Sequence, residues 1–135
     1  PPPPEDDVCQ GNCKDTLKSK NGQCKLVSNW NDLLVVNNNN KVIWSTKGAD
    51  SRLVGQQYDK NNTKGAVGKS KLRHTMQENG NFVFYVDEKP MWSSNTQNKG
   101  SGPYKLVMQD DCNLVVYDKN RVSQWTSDTS GMNYE

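Results

Sequence analysis

Met108-Gln109-Asp110-Asp111-Cys112-Asn113-Leu114-Val115-Val116-Tyr117 is the stretch on which the reading of this chain turns. It alternates. Gln109, Asp111, Asn113, Val115 and Tyr117 share one parity, while Leu114 and Val116 share the other. A strand sends the two parities to opposite faces, so the pattern predicts one aliphatic face and one carrying a carboxylate, two amides, a phenol and an apolar spot. Same-face neighbours on a strand are about 6–7 Å apart. A merely solvated face is usually Lys, Glu, Ser or Thr. This one can donate and accept hydrogen bonds around a small greasy patch, which suits a ring with vicinal hydroxyls and a C–H surface.

Working outward, the same kind of text recurs. Lys25-Leu26-Val27 leads into Asn29, Asn31, Leu33, Val35 and Asn37, then Trp44. Leu72 to Met76 leads into Gln77, Asn79, Asn81, Val83 and Tyr85, then Trp92. Lys105-Leu106-Val107 leads into the opening stretch, then Trp125. Ser/Thr-rich tails follow each Trp. Three copies of one hairpin-like unit predict a three-sided β assembly with Trp44, Trp92 and Trp125 as core rather than ligand platforms. Trp30, on the other parity from Asn29 and Asn31, is expected in the core as well.

The bulk numbers agree. A chain of 135 residues with 32% hydrophobic content suits one small all-β domain with a thin core and many turns. Its mean hydropathy is −0.98. Net charge is only +2 and Lys and Arg are scattered, which argues against nucleic acid as a partner. No apolar run approaches spanning length, so membrane insertion is not expected. The start at Pro1-Pro2-Pro3-Pro4 reads as a mature or trimmed form, with residues 1–19 an extended leader carrying a small Cys loop. Residues 20–135 read as a single domain, with repeats at about 20–50, 53–98 and 101–129.

Cysteines stand at 9, 13, 24 and 112. An even count in a short polar chain favours disulfides and a secreted, extracellular setting, and four cysteines allow three pairings. Zinc is poorly served by the lone His74 and by Cys9-x-x-x-Cys13 without a second pair. Asn61-Asn62-Thr63 is a glycosylation sequon. Asp110 and Asp111 should point to opposite faces, which removes both a cooperating acid/base pair and a calcium site. His74 falls in register with Leu106 and is expected to be a semi-buried strand residue. No hydrolase, metalloprotease or phosphate-loop signature occurs, so no enzyme is expected and no cofactor or metal.

The opening stretch spells Q-x-D-x-N-x-V-x-Y, and in this it resembles the mannose-binding motif of the monocot-type, snowdrop-lectin-like or B-lectin family. The resemblance implies a β-prism II of three pseudo-symmetric four-stranded sheets, with one potential sugar site per sheet. It implies Asp111 and Asn113 on the axial 2-hydroxyl of mannose, Gln109 on the 3-hydroxyl, Tyr117 on the 4-hydroxyl and Val115 against the ring carbons. At the second copy Gln77, Asn81, Val83 and Tyr85 match, but Asn79 replaces the carboxylate and forfeits charge assistance, so weak binding or none is expected there. The first copy lacks the set and reads as scaffold or as a protein-contact face.

In relatives the Cys inside D-x-N pairs with one opening the next repeat. The resemblance therefore implies Cys24–Cys112, leaving Cys9 with Cys13. It also implies an unusual order, with residues 53–129 like the first two-thirds of a lectin domain and 20–50 like a displaced last third, a circular permutation or an exchange. The function it implies is metal-free recognition of terminal mannose on glycans, with a homo-dimer or higher oligomer for avidity. The alternative is a lectin-fold interaction protein, such as a toxin or defence subunit, without sugar binding.

Overall fold

The computed structural model describes residues 8–14, 16–29, 31–59 and 71–135. Among the described residues twelve strands form three antiparallel four-stranded sheets. One sheet joins β4 (Lys25–Ser28), β5 (Leu33–Val36) and β6 (Val42–Ser45). The second joins β7 (Leu72–Met76), β8 (Phe82–Val86) and β9 (Lys89–Ser93). The third joins β10 (Lys105–Met108), β11 (Leu114–Tyr117) and β12 (Ser123–Thr126). The fourth strand of each comes from the N-terminal segment: β1 (Val8–Cys9) pairs with β10, β2 (Gly11–Asn12) with β7, and β3 (Thr16–Lys18) with β4.

This corrects the expected leader. Residues 8–18 visit the three sheets in turn, supplying an edge strand to each. The Cys loop is present within that segment, because Cys9 and Cys13 are bonded. Residues 1–7 and Trp30 lie outside the described residues.

Period-two alternation decides the core. Leu26, Val35, Met76, Phe82, Phe84, Leu106, Leu114 and Val116 turn inward and are almost fully buried. The three tryptophans meet one another edge-to-face with ring centroids 5.3–5.5 Å apart. Edge-to-face contact sets the positive rim of one ring on the negative face of the next. Each Trp sits on the third strand of its repeat, opposite Val35, Phe84 or Val116, so the cluster lies on the pseudo-three-fold axis. His74 lies opposite Phe84, the register of Leu106, but at 3% exposed it is buried rather than semi-buried, edge-on to the Phe82 ring.

The third repeat is closed onto the first by the second disulfide, Cys24–Cys112. The tail reinforces this closure: the Asn37 side-chain amide donates to the carbonyl oxygen of Met132, and the backbone N–H of Asn38 donates to that of Asn133. The segment after β6 also differs from expectation. Leu53 and Tyr58 pack on the outward face of the first sheet instead of opening the second repeat.

Candidate functional site

The opening stretch is not one strand. β10 ends at Met108, and residues 109–113 form the hairpin turn into β11. The N–H of Gln109 donates to the Asn113 carbonyl and the N–H of Cys112 to the Gln109 carbonyl. Cys112 takes the left-handed region at φ 70°. Asp and Asn favour such turns because their side chains can accept from backbone two residues on. Asp111 does this, taking the N–H of Asn113 on Oδ1 at 3.0 Å.

The turn nonetheless gathers the five residues around one spot. Val115, on the outward parity of β11 and itself 2% exposed, is the floor, and the Gln109 side-chain amide donates to the Tyr117 hydroxyl. Asn113 is locked through its Oδ1, which accepts from Ser127 Oγ at 3.3 Å and the Thr129 N–H at 3.2 Å. Among the described residues its Nδ2 has no hydrogen-bond partner and is available to a ligand. Asp111 Oδ2 accepts from the Ser130 hydroxyl at 2.7 Å. Asp110 turns away, accepting from the Asn21 N–H at 2.9 Å, so the two carboxylates do not cooperate. Among the described residues no cluster of His, Cys, Asp and Glu could hold a metal ion.

The second repeat reproduces this architecture. Gln77 Nε2 donates to the Tyr85 hydroxyl at 2.7 Å, Asn79 Oδ1 takes the Asn81 N–H, and Asn81 Oδ1 accepts from Ser94 and Thr96. Val83 is the floor. Two features set it apart. Asn79 stands where the carboxylate stands in the third repeat. Arg73 lies 3.9 Å over the Tyr85 ring and is held by Glu88 at 2.9 Å, a cation–π contact absent from the sequence reading. The Glu88 carboxyl is held below its usual range, chiefly by its hydrogen bond from Arg73.

The first repeat is closed. Its turn is one residue shorter, because the Asn29 N–H bonds to the carbonyl of Asp32. Every later position therefore shifts by one from the expected register. Asp32, not Leu33, takes the place of Asn113, and its carboxylate accepts from Ser45 and Thr46. Leu34 and Val36, not Val35 and Asn37, take the places of Val115 and Tyr117. Both are 0% exposed, covered by Leu53 and Tyr58. Asn61 lies outside the described residues.

The Ser/Thr-rich tails were the readable signal for Ser94, Thr96, Ser127 and Thr129, which brace the two turns from just beyond β9 and β12. Ser130 and Arg73 carried no signal of spacing, since each reaches its partner only after the strands have paired.

A three-sheet prism with a polar hairpin around an apolar floor on its outward faces is a β-prism II lectin fold. No protein-family model matches the chain. The B-type lectin plumieribetin of Scorpaena plumieri is 39% identical over 59 residues, 44% of this chain and 50% of that protein. A mannose-specific lectin of Dendrobium findlayanum is 42% identical over 45 residues, 33% of this chain and 26% of that one. The chain thus spans half or less of the length of these curated relatives. In structure it is similar to the monomeric monocot mannose-binding lectins of Gastrodia elata, with a TM-score of 0.65, 26% identity, and 92% of this chain and 98% of that chain covered. In motif, prism and relatives the chain is similar to the monocot-type, snowdrop-lectin-like B-lectins.

Proposed function

We propose that this chain is a secreted mannose-binding lectin that holds terminal mannose at the third repeat, reversibly and without metal or chemistry on the sugar. The observation that carries this is the complete set Gln109, Asp111, Asn113, Val115 and Tyr117 gathered about one floor residue. Asp111 and Asn113 take the axial 2-hydroxyl, Gln109 the 3-hydroxyl and Tyr117 the 4-hydroxyl, while Val115 meets the ring carbons. A charged acceptor favours an axial hydroxyl over an equatorial one, because the wrong epimer leaves the carboxylate without its bond. The similarity to the mannose-specific lectin of Dendrobium and the mannose-binding lectins of Gastrodia supports the reading. Two disulfides suit an oxidising, extracellular setting.

The second repeat, with Asn79 for the carboxylate, binds mannose more weakly. A homo-dimer raises avidity for branched glycans; analytical ultracentrifugation tests it. Calorimetric titration with methyl α-mannoside tests the site: one mannose per chain, or two of unequal affinity, is expected. Three equal sites, or no heat with mannose alongside a blank glycan array, would overturn it.

A further inference from the structure

A cavity of about 510 Å³ opens beside the second hairpin, lined among others by Gln10, Met76, Gln77, Glu78, Pro103 and Tyr104. We propose that it is a subsite for the second residue of a neutral oligosaccharide whose terminal mannose occupies the second repeat; this rests on the reading of that hairpin as a mannose site.

The size lies within the range of small-ligand cavities. The lining is of the kind a sugar asks for. Gln10, Gln77 and Glu78 bring amide and carboxylate groups for hydroxyls, and Met76, Pro103 and the Tyr104 ring bring apolar surface for C–H groups. Among the described residues Glu78 is the one charged residue on the wall and no cation lines it, which suits a neutral polyol better than a phosphate or sulfate.

Continuity ties the cavity to the site. Gln77 belongs to both: its side-chain amide bonds Tyr85 on the sugar face, and the residue also lines the cavity. The turn 77–81 therefore borders both, with Gln77 the residue they share. The wall is braced from behind. Tyr104 is 6% exposed, its hydroxyl donates to the Lys99 carbonyl at 2.7 Å, and its ring lies close against Gly80. The cavity is thus preformed and asks little ordering of the protein. Gln10 belongs to the N-terminal segment, so the subsite is built from all three of that segment, the second hairpin and the approach to β10.

Amide NMR mapping of the labelled full chain with methyl α-mannoside and with α-linked dimannosides tests this. The monosaccharide should move signals around Asn79–Tyr85 and Asp111–Tyr117. One dimannoside should in addition move Gln10, Gly11, Gly102 and Tyr104, and bind the second repeat about tenfold more tightly. Glu78→Ala and Gln10→Ala, both at exposed positions, should each cut that dimannoside preference severalfold. Dimannoside shifts confined to the two hairpins, or binding at the third repeat with none at the second, would overturn the subsite and leave the lectin reading standing. No shift at the third repeat with any mannoside would overturn the lectin reading, and the subsite with it.

Discussion

Tyr104 stands against Gly80 at the junction of the second and third repeats, in the place that Cys24 and Cys112 hold at the junction of the third and first. The equivalence follows from pairing: Tyr104 and Cys24 each precede the first strand of a repeat, and Gly80 and Cys112 are the left-handed residues of matching turns, at φ 94° and 70°. One seam is closed by a covalent bond and the other by a wedged aromatic ring.

Gly80→Ala should therefore be costly. A Cβ there would lie 2.7 Å from Cζ of Tyr104 and 3.1 Å from the Thr96 carbonyl, in a left-handed backbone. Overpacking and backbone strain together should destabilise by about 2–4 kcal/mol. Gly131→Ala, at φ 81° with nothing within 4 Å, should cost only about 1–2 kcal/mol. Urea unfolding of the two variants checks the difference.

Removing the other seam should cost more. Cys24 and Cys112 are 88 residues apart, and closing so long a loop stabilises by about 4–5 kcal/mol in the chain-entropy model. The double Cys→Ser variant should lose most of that, again read by urea. Peptide mapping without reductant should return Cys24–Cys112 and Cys9–Cys13 from a single chain.

The carboxylate can be exchanged between repeats. Asp111→Asn should weaken mannose binding about ten- to hundredfold by removing a charge-assisted bond, with unfolding midpoints little changed. Asn79→Asp should strengthen the second repeat and raise the measured stoichiometry toward two. Calorimetry in EDTA should give the same affinity as without it; a loss there would bring back a metal.

Asp118 should govern part of the acid stability. Its carboxylate accepts the backbone N–H of Val122 and Asn120, with Ser101 and Gln124 adding to the set, and these hold its pKa below the ordinary aspartate value. A depressed folded-state pKa contributes stability that is complete above the ordinary aspartate pKa and is lost as pH falls through the folded one. The unfolding midpoint should drop below about pH 4, and Asp118→Asn should be less stable at neutral pH with a shallower acid slope. Thermal melts across pH 2–7 read both.

What sequence alone determined is what rests on local period and composition. Alternation sorted Leu114 and Val116 inward from Val115 and Tyr117 outward, because a strand has only two faces. Three spaced tryptophans marked one core, and the complete motif at 109–117 marked the hairpin that gathers all five residues. The tertiary structure decided everything that depends on which backbone groups pair. Gln109 to Asn113 is a turn, since Asp111 satisfies the Asn113 N–H more locally than a ladder could. The first repeat is one residue short there, and its Asn-rich text reads equally well in either register. That single residue moved Leu34 and Val36 onto the outward face, where Leu53 and Tyr58 pack over them. The N-terminal segment has too few apolar residues to announce strands; its short edges form because three finished sheets leave unpaired N–H and C=O groups beside it.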